Sequence, residues 1–581
     1  MSGKNKMLIF VRIFKYMFRY PLLLVSAVTL MITSNLLALV GPTLSGKAID
    51  AIDLGVGNVD FSTVFKYCGL MALFYALSAL LSYLLSITMI HMSRHIVATM
   101  RKQVFDKLLT LPVKFFDKNQ TGDIISRMSY DIDTINTSIS TDILQVCSSV
   151  ITVIGSLVMM LSISPALVLV FVVTIPMSVL FTKYKSKKIR PLFKRRSVKL
   201  GELNGYTEEI LSGHRTIKAY RREETMIDRF DRYNDEATSA YYNADYQGAM
   251  IGPTVNFINN LSLSFISMFG AILYVGSRIT IGNISSFILY SRKFSGPINE
   301  LANIISELQS AASAAERVFR LIDEDEEPAD VQDALALTDK VTAIDADDVH
   351  FSYVEGKEIL HGISFSAKEG KTVAIVGPTG SGKTTIINLL MRFYDIDSGS
   401  IKMNGNVITD ITRESLRSAY TMVLQDTWLF GGTIAENIAY GKEGATREEI
   451  VAAAKAAMVD DFIESLPDGY DTLVTEDGIN LSKGQKQLLT IARAMLPECS
   501  VLILDEATSN VDSRTETKIQ EAMHKLMEGK TSFVIAHRLS TIRYADLILV
   551  LRDGNIIESG THNELLESNG FYASLYNAQF N

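Results

Sequence analysis

The chain has 581 residues, 48% of them hydrophobic, and a positive mean hydropathy of +0.19, which is too long for one core and too apolar for an ordinary soluble enzyme. Its 64 acidic residues outnumber 56 basic ones, and the resulting formal charge of -8 argues against a nucleic-acid partner, because such domains carry a basic excess. Cys68, Cys147 and Cys499 have neither metal-ligand nor disulfide-framework spacing and read as packing residues of a protein facing a reducing cytoplasm.

The amino-terminal stretch "KNKMLIFVRIFKYMFRY" is basic and amphipathic. It predicts an interfacial helix over residues 1–20, with Lys and Arg on cytoplasmic headgroups and Leu8, Ile9, Val11, Ile13, Phe14 and Phe18 in the acyl boundary. A cleavable signal peptide is the alternative, but the basic stretch is longer than a typical leader's start.

Crossing a ~30 Å hydrocarbon layer takes about 20 apolar residues. Stretches of that kind stand at 21–40, 67–90, 143–163, 166–181, 250–275 and 284–305. The fourth is short, and the last contains Arg292 and Lys293. Lys and Arg crowd the amino terminus, "SRHIVATMRKQVFDKLLTLPVKFFDK" and "KYKSKKIRPLFKRRSVK", whereas the other connections are short or acidic. Both termini are therefore expected in the cytoplasm. The two basic connections have helical apolar periodicity and almost no Pro or Gly, which predicts membrane helices extended into the cytoplasm. Each pair would bend at a short tip, "FFDKNQTGDI" and "LSGHRTIKAY", unless these are ordinary turns. A membrane domain over 21–322, a linker over 323–340 and a second domain over 341–581 follow.

From Val341 onward the pattern becomes strand, turn and helix. In "VAIVGPTGSGKTTIINLL" an apolar strand runs into Gly377-Pro378-Thr379-Gly380-Ser381-Gly382-Lys383-Thr384, a full G-x-x-x-x-G-K-[ST]. The glycines let backbone N–H groups turn around phosphates, and the following helix start adds a favourable field. Lys383 would reach the β- and γ-phosphates of ATP, and the Thr384 hydroxyl would ligate Mg²⁺. Downstream, "SVLILDEATSNVD" ends an apolar strand in Asp505, a magnesium ligand, and Glu506, a general base for water. His537 in "SFVIAHRLSTI" stands at another strand end, where it could contact the γ-phosphate and the water, and Gln425 in "MVLQDTWLF" is less distinctive by itself, as apt for a surface turn as for a site.

These residues together resemble an ABC transporter half-unit of the exporter type, and the resemblance covers nearly the whole chain. Tyr353 in "VHFSYVEGKEIL" resembles the aromatic that stacks on adenine, 377–385 including Thr385 the phosphate loop, and Gln425 the Q-loop residue. "TEDGIN" resembles the segment that touches the opposite membrane domain. "LSKGQ", with Ser482, Lys483, Gly484 and Gln485, resembles the signature usually written LSGGQ, residues 509–512 the D-loop, and His537 the switch histidine. "SELQSAASAAERVFRLID" resembles the connector between the domains, and the two tips resemble coupling helices. The implied architecture is an all-α six-helix transmembrane domain with long cytoplasmic extensions, followed by an α/β P-loop ATPase domain. The cofactors implied are ATP and Mg²⁺.

In that family each ATP lies between one chain's phosphate loop and the other's signature, so a single copy of each motif implies a second half-transporter chain. Lys483 stands where the family has glycine. If that position needs φ > 0 or close contact with phosphate, lysine weakens the site; otherwise its ammonium faces solvent. An altered signature on the chain that keeps its catalytic glutamate favours a heterodimer over a homodimer. The resemblance implies ATP-driven export of hydrophobic or amphipathic drugs or lipids across a bacterial-type cell membrane. A peptide exporter, an importer on the same fold, and a non-transporting regulator or channel remain alternatives. Arg292 and Lys293 are candidates to meet the substrate, or they snorkel or pair with acids.

Overall fold

The computed structural model describes residues 3–52, 59–425, 427–474, 481–505, 512–535 and 542–580. The chain divides into two compact units, Met1–Leu109 with Thr121–Glu324, and Thr110–Gln120 with Asp325–Asn581.

A bilayer offers no water to stray backbone groups, so a crossing segment must close its hydrogen bonds internally. The first unit accordingly consists of long helices. Among the described residues five are long and apolar enough to cross a membrane: Pro21–Asp50, Phe61–Thr110, Thr121–Ile163, Pro165–Ser212 and Glu223–Val275. The sixth expected span falls in the 42-residue helix Ile281–Ile322, which carries Arg292 and Lys293 and is not among those five. The helices extend beyond membrane length, and Pro165–Ser212 does so through Pro191, Gly201 and Gly205.

Two close approaches organise this unit. Helices Pro21–Asp50 and Ile281–Ile322 touch through Gly46 and Gly282, where a Cβ on either glycine would collide with backbone of the other helix. Small residues are what allow membrane helices to come this near. Asp50 closes the same corner, its carboxylate accepting from the Gly282 N–H at 2.8 Å and the Thr280 hydroxyl at 2.9 Å. Deeper in, the buried hydroxyls of Ser286 and Tyr290 donate to the carbonyls of Pro42 and Leu39. The second approach is electrostatic. A π-helical turn, Arg127–Asp131, turns the buried Asp131 carboxylate toward Arg317, which donates to it through two nitrogens.

The first helix, Gly3–Met17, departs in part from its expected setting. Ile13 and Met17 are buried against protein, whereas Leu8, Val11, Phe14 and Phe18 are exposed as expected of an apolar face. Arg12 pairs with Asp323 and lies 4.2 Å from the Phe319 ring centroid, and the Tyr16 hydroxyl donates to Gln103 at 2.6 Å. Ile13 therefore serves packing, not the acyl boundary. All three cysteines are free; Cys499 is buried, but Cys68 is exposed and packs no core of this chain.

The second unit is built on β-sheets. Its strands are β1 (Ala343–Val354), β2 (Lys357–Lys368), β3 (Thr372–Val376), β4 (Ser398–Met403), β5 (Asn406–Val407) and β6 (Tyr420–Val423). They continue with β7 (Gly432–Thr433), β8 (Leu473–Val474), β9 (Val501–Asp505), β10 (Thr531–Ile535), β11 (Leu547–Arg552) and β12 (Asn555–Gly560). The central sheet runs β12-β11-β3-β10-β9-β6, with every pairing parallel except β11 with β12. A four-stranded antiparallel sheet, β2-β1-β4-β5, covers one face. Alternation along β3 shows the layering: Val373 and Ile375 join the core beneath the antiparallel sheet, and Ala374 and Val376 join the core beneath the helices. A strand buried on both faces must be apolar throughout, as "TVAIV" nearly is.

The segment entering this unit is held by arginines. Arg413, 7% exposed, donates to the Pro328 carbonyl and to Asp330, while Arg417 pairs with Glu327. Leu335 adds backbone hydrogen bonds to Asp410 and Thr412. The first expected tip is a helix, Val113–Lys118, whose Phe115 is buried and whose Asp117 accepts from the Tyr394 hydroxyl. Burial and that carboxylate both raise the Tyr394 pKa, so the phenol stays a donor. The second expected tip is the helix His214–Tyr220, which has no buried residue.

Two outcomes are expected. Arg413→Met takes from Asp330 one of its two buried arginine partners, leaving Arg392 at 3.6 Å, and should cost about 1–3 kcal/mol of the nucleotide unit's stability, read as a lower melting temperature and faster proteolysis within 325–340. Gly282→Leu should wedge the two helices apart at this corner and lower the melting temperature of the membrane unit, whereas Leu at Gly69, which has open space around its Cα, should not.

Candidate functional site

The parallel strands end on one edge of the sheet, and the sequence there is not strand-like for a reason. Immediately after β3, Gly377 and Gly382 sit where a side chain could not. A Cβ on Gly377 would run into the Leu551 carbonyl, and one on Gly382, at φ +103, into Leu360. The chain therefore curls tightly before the helix Lys383–Leu390 begins. Pro378, Thr379 and Gly380 form the exposed rim of the curl.

Inside the curl, Lys383 is 7% exposed and donates to the carbonyls of Gly377 at 2.8 Å and Pro378 at 2.9 Å. Burial lowers its pKa below that of an ordinary lysine, and the nearby Asp505 carboxylate offsets part of that shift. The Ser381 hydroxyl is buried with no hydrogen-bond partner among the described residues. A turned-in ammonium beside an orphaned hydroxyl, in a ring of N–H groups at a helix start, fits a bound polyphosphate. Thr384 is exposed at the second helical position, so its hydroxyl is free to meet a cation, and Thr385 is buried.

Strand pairing aligns the remaining groups. Asp505 ends β9 level with Ile535 of β10, which is itself level with Ile375 of β3. With strands ~4.8 Å apart, the Asp505 backbone lies about 10 Å from that of β3, near enough for its carboxylate to act on Lys383. Val423 of β6 pairs with Leu504, so Gln425, two residues on and exposed, follows at the same edge. An exposed hydroxyl, a carboxylate and an amide oxygen are the hard donors Mg²⁺ takes. Glu506, His537 and residues 509–511 lie outside the described residues. Asp512, the last of the expected D-loop, caps the helix Ser513–Met527 by accepting from the Thr515 N–H at 3.0 Å.

Tyr353 at the end of β1 is held from two sides. Its ring meets Phe351 and Tyr394 edge-on at 4.8 and 4.9 Å between centroids. Its hydroxyl donates to Thr385 at 3.3 Å and accepts from Asn388 at 3.1 Å, which ties it to the phosphate-loop helix. Sequence reading misses Asn388 and Tyr394. No spacing signals them, because each meets Tyr353 only through the packing of separate elements.

In "LSKGQ", Leu481 is buried and Ser482 is the N-cap of the helix Lys483–Met495. Ser482 and Gln485 form a capping box, with the Ser482 N–H donating to Gln485 Oε1 at 2.8 Å and the Gln485 N–H to Ser482 Oγ at 3.3 Å. Lys483 is the first helical residue, exposed, and not among the residues with positive φ. Its backbone carries no strain, and its ammonium adds positive charge to an end already positive by dipole. "TEDGIN", just before, lies outside the described residues.

The membrane half matches a family model described as ABC transporter transmembrane region over residues 22–298, and the other half one described as ABC transporter over residues 360–509. The chain is 42% identical, over 98% of its length and 94% of the relative's, to the uncharacterized ABC transporter ATP-binding protein YfiC of Bacillus subtilis (strain 168). It is 44% identical, over 90% of its length and 82% of the relative's, to a fatty acid ABC transporter ATP-binding/permease protein of Mycobacterium tuberculosis (strain CDC 1551 / Oshkosh). It is 36% identical, over 87% of its length and 85% of the relative's, to an ATP-dependent lipid A-core flippase of Legionella pneumophila (strain Lens). A solved bacterial Atm1-family ABC exporter with ATP bound superposes with a TM-score of 0.78 at 32% identity, over 96% of this chain and 98% of that one. With a helical membrane domain and a nucleotide-binding domain fused in one polypeptide, the chain belongs to the exporter-type ABC transporters, membrane proteins that couple ATP hydrolysis to transport.

Proposed function

We propose that this chain is one half of a two-chain exporter that moves hydrophobic or amphipathic compounds, lipids above all, out of the cytoplasmic side of a bacterial cell membrane. The observation that carries the ATP-driven part is the turned-in Lys383 beside the orphaned Ser381 hydroxyl. Relatives named for fatty acid transport and for lipid A-core flipping support the substrate class. Both termini are taken as cytoplasmic because Lys and Arg crowd the connections on that side. A peptide exporter and a non-transporting regulator share the fold, but neither has a comparable supporting observation.

Tyr353 stacks on adenine, and Lys383 exchanges its two carbonyl partners for the β- and γ-phosphates. The backbone N–H groups of 377–385, except at Pro378, which has none, take the remaining phosphate oxygens, with the Ser381 hydroxyl completing the cradle. Thr384, Asp505 and Gln425 would hold Mg²⁺, which when bound would draw charge from the phosphate oxygens. Glu506 takes a proton from a water that attacks the γ-phosphorus in line, and the bond to the bridging oxygen breaks to leave ADP. His537 orients that water. Ser482, Lys483, Gly484 and Gln485 face the partner's phosphate loop, and the partner's signature faces Lys383.

A heterodimer is favoured. Because the Lys483 backbone is ordinary helix, any impairment comes from side-chain bulk and charge at the amide-lined helix end, not from strain. That defect would fall on the partner's nucleotide, while Glu506 serves this chain's own. The exposed helix His214–Tyr220, with no buried residue, is a suitable contact for the partner's nucleotide unit.

Glu506→Gln should lower the ATPase rate of the purified transporter by about 100-fold or more while nucleotide binding persists; unchanged turnover would remove its role as base. The chain expressed alone should form no fully active dimer. A stable homodimer with full ATPase in lipid vesicles would overturn the heterodimer, and a direction-resolved transport assay in those vesicles tests export against import.

A further inference from the structure

Helix Ile281–Ile322 carries a cation at the depth where charge is most costly. Lys293 follows Ile281 by twelve residues, about 18 Å along the axis and near the middle of a ~30 Å hydrocarbon layer. That depth is too great for a lysine stem to bring its ammonium comfortably to the outer headgroups. The preceding buried residues on the same stripe set its direction. Ser286 and Tyr290 face helix Pro21–Asp50 and bond its carbonyls at Pro42 and Leu39. Lys293, three residues beyond Tyr290, continues that stripe and is partly buried, whereas Arg292 is exposed.

Continuing the antiparallel register brings Lys293 level with Asn35, which is the centre of a polar layer. Asn35 donates to Ser148 Oγ at 3.3 Å and accepts from the Thr152 hydroxyl at 3.2 Å. Three other pairs of charges in the first unit meet directly: Asp131 with Arg317, Asp245 with Arg196, and Arg12 with Asp323. Lys293 has no ion-pair or hydrogen-bond partner among the described residues. A half-buried ammonium beside neutral hydrogen-bonding groups is stabilised when an anion arrives.

We propose that Lys293 anchors the anionic headgroup of the transported amphiphile, a carboxylate or a phosphate ester, in the polar layer of Asn35, Ser148 and Thr152. The apolar stretches of the same helices take its tail. This specificity rests on the reading that the protein exports amphiphiles, and it narrows that reading to anionic ones.

The test uses the full-length chain, purified with whatever chain accompanies it, in nanodiscs of zwitterionic phosphatidylcholine. ATPase stimulation and equilibrium binding are measured with palmitate, hexadecyl phosphate and hexadecanol, and the preference between the first two identifies the headgroup. Palmitate or hexadecyl phosphate should stimulate at lower concentration than hexadecanol. Lys293→Met should raise the half-saturating concentration of the anion about tenfold or more and leave that of hexadecanol where it was, and Lys293→Arg should restore most of the affinity. The proposal is overturned if hexadecanol matches the anions on the wild-type protein, or if Lys293→Met keeps wild-type affinity for them. Should the Met variant fail to fold, the wild-type contrast between hexadecanol and the anions decides alone. Absence of any response to all three, with basal ATPase intact, removes the amphiphile reading itself and this proposal with it.

Discussion

Parallel pairing of β11, β3, β10, β9 and β6 is the constraint on which the nucleotide unit depends. Parallel strands present all their carboxyl ends on one edge, so whatever follows each strand is gathered there whatever its distance in sequence. The curl after β3, Asp505 at the end of β9 and Gln425 just beyond β6 come together for this reason alone. The apolar faces of β3 fill two cores at once, one with the helices and one with the antiparallel sheet, which holds the edge still. A buried side chain of this kind contributes about 1.5–3 kcal/mol, so the rigidity beneath the loop comes from many ordinary contacts.

On that base, the phosphate loop has a resting arrangement of its own. Lys383 satisfies its charge with two carbonyls of the loop it serves, which keeps the curl shaped around a small positive centre. Phosphate oxygens in place of those neutral acceptors would add the attraction of an ion pair to hydrogen bonds that the ammonium already makes charge-assisted. Tyr353 is tied to the same helix by Thr385 and Asn388 and meets Tyr394, whose hydroxyl reaches Asp117 on the short helix Val113–Lys118. Tyr353 and that short helix thus share one packed cluster.

The membrane unit uses different physics, because helices in lipid gain little from hiding apolar side chains from one another. Its specificity comes from close backbone contact at Gly46 and Gly282, from Asp50 closing the same corner, and from the Asp131–Arg317 pair. Lys293 has no ion-pair or hydrogen-bond partner among the described residues, which sets it apart from these groups.

Much was legible from local chemistry. The phosphate loop, the strand ends carrying Asp505 and Gln425, the helix start at Ser482 and the long membrane helices are each written in a few neighbouring residues, because hydrogen bonding and periodicity act locally. The burial of Ile13, the exposure of Cys68, the arginine clamp on Glu327 and Asp330, and the cluster of Tyr353 with Asn388 and Tyr394 were not legible. Each pairs groups brought together only by packing, and no periodicity encodes which face a neighbour will cover. Lys483 divides the same way. Its residue type raised the question of strain, and the helical backbone from its first residue answered it, because the capping box of Ser482 and Gln485 starts the helix before the lysine and leaves no need for a left-handed turn.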